Sequence, residues 1–188
     1  LVSAGAISLD VDWGDGTTDT ITAWNQAETL HTYAASGSYT IEITNSVIGW
    51  QFNNTGDCKK MTDISQWGEF DFTAIRTFRG CNNMTGTATD TPTISTTSLQ
   101  YTFLDCQSWN GVMDSWDVSG VTDFTGVLQN GTVFNQPLNS WNTSSGTTMA
   151  GMFLNANAFN QPLNSWNTSS VTSLQFTFGS ATSFDQDI

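Results

Sequence analysis

The chain has 188 residues with 17 acidic and only 4 basic side chains, so few cations are available to neutralise phosphate, and nucleic acid and anionic membranes are poor partners. Charged residues make up 11% and aromatics 12%, the reverse of the charged, aromatic-poor composition of disordered segments. No apolar run reaches the roughly 18 residues of a spanning helix, so no membrane insertion is expected. The polarity rests on Ser, Thr, Asn and Gly, which fits a β-rich extracellular or cell-surface protein.

Residues 1–50 carry no repeat. The stretch Ala6-Ile7-Ser8-Leu9-Asp10-Val11-Asp12-Trp13 alternates apolar and polar side chains and predicts a half-buried strand. No leader peptide opens the sequence, and this strand comes almost at once, as in an exported protein whose leader has been removed. Gly14-Asp15-Gly16-Thr17 is turn chemistry, and Tyr39 to Ile43 again alternates with period two. Asp10, Asp12, Asp15 and Asp19 gather around the turn. An oxygen-rich loop of this kind can bind calcium, although the spacing is not that of an EF-hand and the turn forms without an ion. No other cofactor is expected. His31, the only histidine, reads as a structural hydrogen-bonding group and not as a base.

The set W-G-D-G at 13–16, H-x-Y at 31–33 and G-x-Y-T-I at 37–41 resembles the PKD-type β-sandwich motif. It is too short for a whole sandwich. Residues 1–50 are therefore expected to form an antiparallel β cap over the first unit of a second region, residues 51–188.

From Phe52 onward the sequence repeats. One column reads Phe52, Phe78, Phe103, Leu128, Phe153, Phe178, with a first step of 26 and then steps of 25. Others read Met84, Trp109, Phe134, Phe159, Phe184, then Met113, Leu138, Leu163, Ile188, and then Leu99, Phe124, Met149, Leu174. A fixed period of this length predicts one supersecondary unit per repeat, stacked so that neighbours bury each other's apolar faces. Rungs are expected to start near 52, 78, 103, 128, 153 and 178. Within a rung a short strand is expected through Trp116-Asp117-Val118 and its equivalents at 141–143 and 166–168. That strand would place Trp inward and Asp117, Asn142 and Asn167 outward, as a ladder on one face. Gly146 to Leu154 suits a short helical or 3₁₀ turn on the other side.

Cys81 and Cys106 stand one period apart in a column that continues Gly131, Ala156, Ala181. Either they are buried thiols packed as small hydrophobes, or Cys81 pairs in a disulfide with Cys106 or Cys58.

The motifs F-x-x-C/A-x-x-F-N and L-x-x-W-(D/N)-(V/T)-S-x-V-T resemble BspA-like, leucine-rich-repeat-type bacterial surface proteins, whose repeat is also known as a mycoplasma lipoprotein-associated domain. The resemblance is most specific from Phe103 onward and implies a mainly β, right-handed solenoid of short parallel strands. Asp is common after the Trp in that family, whereas Asn stands at 142 and 167 here.

N-x-S/T sequons occur at Asn53, Asn83, Asn130, Asn142 and Asn167, and the last two fall on one face of successive rungs. They are either glycosylated or simply hydrogen-bonded. The chain stops inside a rung, so a head-to-tail contact with another copy is one expectation for its last face. No catalytic motif stands out. The sequence therefore predicts a non-enzymatic structural or adhesive surface protein, glycosylated and able to form a filament. The alternative is a monomeric module recognising a host or matrix protein, or a glycan, through the face at Asp117, Asn142 and Asn167.

Overall fold

The computed structural model describes residues 8–45 and 47–187. Strands β1 (Leu9–Asp12), β2 (Thr18–Ile21) and β3 (Glu42–Thr44) form an antiparallel sheet in the order β2-β1-β3. Alternation along β1 works as the sequence predicts: Leu9 and Val11 are buried and Asp10 and Asp12 exposed. Ala6 and Ile7 of the expected strand lie outside the described residues. Leu9, Val11, Ile21 and Val47 make a small core, and Trp50 and Phe70 pack both on it and on the large core of the repeats. The sheet therefore rests on the first repeat units.

The repeats are joined by one recurring pattern. The N–H groups of Leu99, Tyr101, Phe103 and Asp105 donate to the carbonyls of Asp123, Thr125, Val127 and Gln129, 2.9–3.0 Å away. Those of Phe124, Gly126, Leu128 and Asn130 do the same to the next unit, as do those of Met149, Gly151, Phe153 and Asn155. The intervening N–H groups turn back on their own unit, as in Thr102 to Leu99 and Leu104 to Tyr101. Each unit is thus a run of tight turns whose alternate donors reach its neighbour. This satisfies the backbone along the whole stack without long strands.

This geometry corrects two expectations. No strand forms at Trp116–Val118, 141–143 or 166–168, and over Gly146–Leu154 no helix forms, only single turns in which the Met152 and Leu154 N–H groups donate to the Met149 and Gly151 carbonyls. Among the described residues, regular strands in the repeats are limited to the parallel pairs β4 (Asp63–Ile64) with β6 (Thr85–Gly86) and β5 (Asp71–Phe72) with β7 (Thr93–Ile94). Further on, single residues pair in parallel along Ser98, Asp123, Thr148 and Ser173. Over 99–105 and its equivalents the cause is local: Tyr101, Asp105, Gly126, Asn130, Gly151 and Asn155 all have φ between 56° and 65°, which interrupts both helix and strand there, whereas none of these positions falls within 116–118, 141–143 or 166–168. Gly, Asn and Asp tolerate that region best, and they hold five of these six places.

The apolar columns fall inside as predicted. Phe78, Phe103, Leu128 and Phe153 are buried, as are Met84, Trp109, Phe134 and Phe159. Rings of successive units stack: Phe159 lies 6.0 Å from Phe134 and 5.8 Å from Phe184, and Trp141 is parallel to Trp166 at 6.3 Å. Leu174, the last member of its column, is 54% exposed, and Ile188 lies outside the described residues. Indole N–H groups find partners across units: Trp141 donates to the Met113 carbonyl at 2.7 Å and Trp166 to that of Leu138 at 2.8 Å.

One column changes residue size along the stack, and its surroundings change with it. Where Trp109 replaces Phe, a Cβ on Gly86 or Gly111 would lie only 2.6–2.7 Å from its ring. The equivalents of these glycines in the Phe-bearing units are Gln136 and Gln161. Gly111→Ala is expected to destabilise the chain by about 1–3 kcal/mol through overpacking. Phe153→Ala should cost about 3–5 kcal/mol through the cavity it leaves. Denaturant titration of both variants against the parent measures the two effects, and Gly120→Ala, at a site with open space around it, is the matched control.

Candidate functional site

Three successive units each turn one polar side chain outward beside a tryptophan. Trp116 and Trp141 are buried and Trp166 half-buried, while Asp117, Asn142 and Asn167 are exposed. In all three the side-chain oxygen accepts the N–H two residues on, from Ser119 at 3.0 Å, Ser144 at 3.2 Å and Ser169 at 3.0 Å. These are Asx turns, which fix the side chain against its own backbone. The last two are tied together. The Asn167 N–H donates to the Thr143 hydroxyl at 3.0 Å, and that hydroxyl donates to the Asn167 carbonyl. The Ser119 hydroxyl and N–H hold the Asp117 carboxyl below the ordinary carboxylate range, so this position stays charged at neutral pH. The expected outward face therefore exists, built on turns and not on a strand ladder.

The five sequon asparagines differ in their surroundings. The Nδ2 of Asn130 donates to Asp105 at 2.6 Å, and its Oδ1 accepts from Asn155 at 2.8 Å. The Nδ2 of Asn83 donates to the Lys59 carbonyl at 2.8 Å, and half-buried Asn53 accepts from Arg79. Asn142 and Asn167 use only their oxygens, leaving Nδ2 outward. Two polar ladders escaped the sequence reading. One is the Asp105–Asn130–Asn155 row. The other runs through Asn110, Asn135 and Asn160, each Oδ1 accepting the N–H of its successor at 2.9 Å. Both recur at the repeat period, so the signal was in the sequence, but amides bonded along a stack look like any surface Asn.

The calcium expectation at Asp10, Asp12, Asp15 and Asp19 finds a different arrangement. Asp10 accepts from Thr20 and Asn45, Asp12 from the Gly14 N–H, and Asp19 from the Trp13 indole at 2.8 Å. Asp15 accepts from the Thr17 hydroxyl at 2.6 Å and meets His31 Nε2 at 2.8 Å. Strand alternation and the turn thus aim the four carboxylates at separate protein donors. Among the described residues no group of three or more His, Cys, Asp or Glu is placed to hold a metal ion. His31 is stacked on Trp13 at 4.7 Å and packs edge-on against Tyr33, as a structural group would.

Cys58, Cys81 and Cys106 are free and buried, so no disulfide joins Cys81 to Cys106 or Cys58. The Cys106 thiol instead donates to the Phe78 carbonyl at 3.1 Å. Burial pushes the Cys81 thiol up to about 12 and the Cys106 thiol well above the usual range.

A family described as "Mycoplasma protein of unknown function, DUF285" matches residues 71–188. The chain belongs to this family. The match takes in Asp117, Asn142, Asn167 and Cys106, while the three-stranded sheet precedes it. No curated protein and no solved structure matches the chain. Among the described residues of this family member, no helix is long and apolar enough to cross a membrane.

Two measurements check these environments. At pH 8, iodoacetamide should leave Cys81 and Cys106 unmodified in the native chain and alkylate both in denaturant, read by peptide mass. The hydroxyl of Thr17 and the His31 ring hold Asp15 below its ordinary value of 3.8. A depressed folded-state value means that its stabilising contribution is full above 3.8 and is lost as pH falls through the folded value. The melting temperature of the parent should therefore fall more steeply below pH 4 than that of Asp15→Asn.

Proposed function

We propose that this chain is a non-enzymatic surface protein, extracellular or attached to the cell surface, with a structural and adhesive role. On this reading residues 51–188 form a right-handed, BspA-like solenoid of the leucine-rich-repeat type, and residues 1–50 form a PKD-like cap. The repeats serve as a rigid rod that presents the same polar group at a fixed interval. A glycan or a host or matrix protein meets that array, and sugars are carried at Asn142 and Asn167.

The observation that carries the reading is the column Asp117, Asn142, Asn167, in which the same Asx turn is exposed on three successive units. A periodic, pre-ordered row suits a periodic partner, because little side-chain entropy is lost on contact. Weak contacts then add through multivalency. The free Nδ2 atoms of Asn142 and Asn167 support glycan attachment there, whereas Asn83 and Asn130 would have to break existing hydrogen bonds.

The test is adhesion of the full chain to immobilised matrix proteins and glycans, beside a double variant Asn142→Lys, Asn167→Lys. Binding should fall at least about tenfold in the variant, while the melting temperature drops only by the small amount set by losing two exposed Asx turns. Equal binding by both proteins would remove the role given to this face. Peptide mass mapping of material from the native source should find hexose-bearing peptides at residues 142 and 167 and none at 83 or 130.

A further inference from the structure

The end of the molecule opposite the last repeat holds a cleft that the proposed function does not use. It has a volume of about 310 Å³ and is walled by β1–β3 and the segments that flank them, all within residues 9–50. Three of the eight tryptophans line it, Trp13, Trp24 and Trp50, together with aliphatic side chains that include Ile41 and Ile43. Among the described residues, Thr29 is the one hydroxyl in its wall, and no charged side chain lines it. Trp24 is 54% exposed and Ile41 47% exposed, so the cleft opens to water through an aromatic and an aliphatic lip.

Its electrostatic setting is one-sided. Residues 8–45 carry Asp10, Asp12, Asp15, Asp19, Glu28 and Glu42, and neither Lys nor Arg. Asp19 sits 2.8 Å from the indole nitrogen of Trp13, and Glu28 directly precedes Thr29. The potential at the cleft is therefore negative, while its described wall offers no carboxylate for a small, strongly hydrated ion.

We propose that this cleft binds a small organic cation with an apolar body, of the quaternary ammonium class. Each property of the site selects for that chemistry. Indole faces attract a cation through their quadrupole, and the attraction strengthens where aliphatic walls exclude water. A trimethylammonium group spreads its charge over methyl surface, so it loses little hydration on entering an apolar wall. The surrounding carboxylates raise its local concentration and repel anions. The volume is at the lower end of small-ligand sites, which suits a compact ligand. This site is separate from the repeat face and stands or falls independently of it.

The experiment tracks the indole Nε1–H signals of the ¹⁵N-labelled full chain during titration with choline chloride. Parallel titrations use 3,3-dimethyl-1-butanol, the neutral isostere of choline, and sodium chloride as the ionic-strength control. Choline should shift the signals of Trp13, Trp24 and Trp50 saturably and bind roughly tenfold or more tightly than the isostere. Trp24→Ala should abolish saturation. Ile41→Lys, which places a like charge at the lip, should remove choline binding and leave the isostere's weak binding in place. Equal affinity for choline and its isostere would reduce the cleft to an apolar groove and overturn the proposal. So would shifts reproduced by sodium chloride, saturation that survives Trp24→Ala, or no saturation below 50 mM, which is roughly the weak limit of a specific site.

Discussion

Everything in the repeat region depends on a division of labour among backbone N–H groups. Over 99–105 and its equivalents alternate donors reach the next unit and the intervening ones close turns within their own, while the N–H groups of Thr122, Thr147 and Thr172 reach back to the unit before. A chain that spent all its donors locally would be a helix, and one that spent them all on neighbours would be a strand. The split survives the 26-residue first step, where the Phe52 and Asn54 N–H groups still reach the Thr77 and Arg79 carbonyls. The left-handed positions at Gly126, Asn130, Gly151 and Asn155 are the local condition for that split.

The same register aligns side chains, so the interior can be stacked ring on ring. Phe134, Phe159 and Phe184 lie over one another, as do Trp141 and Trp166. Departures are compensated within their own neighbourhood, as when Trp109 fills space left by Gly86 and Gly111. The Trp116 indole N–H, which has no partner among the described residues, stands where the regular pattern gives way to the less regular units before it. Cys81 and Cys106 fit the same logic: the column takes small side chains, and burial keeps their thiols protonated.

Register also reaches the surface. Because Trp141 and Trp166 are locked inward, the residue after each is locked outward, and the Asx turn then removes most of its remaining freedom. The face at Asp117, Asn142 and Asn167 is a direct consequence of the core. The cleft at Trp13, Trp24 and Trp50 is not, since its wall is drawn from residues 9–50 and from no repeat unit.

The sequence alone determined the period, the inward columns, the outward placement of Asp117, Asn142 and Asn167, the alternation along β1 and the mycoplasma family. All but the family come from side-chain spacing, which repeats whatever the backbone does; the family comes from the resemblance of the repeat motifs. Tertiary structure decided what spacing cannot encode. It left the expected strands at Trp116–Val118 and its equivalents without a paired ladder, because the inter-unit backbone bonds form instead at 99–105 and its equivalents. It separated free sequons from bonded ones, because the partners of Asn83 and Asn130 lie 24 and 25 residues away. It dispersed the four aspartates onto different donors, and it gathered three tryptophans from distant positions into one cleft. Such groupings depend on how segments distant in sequence meet, and a linear pattern carries no information about the gap between them.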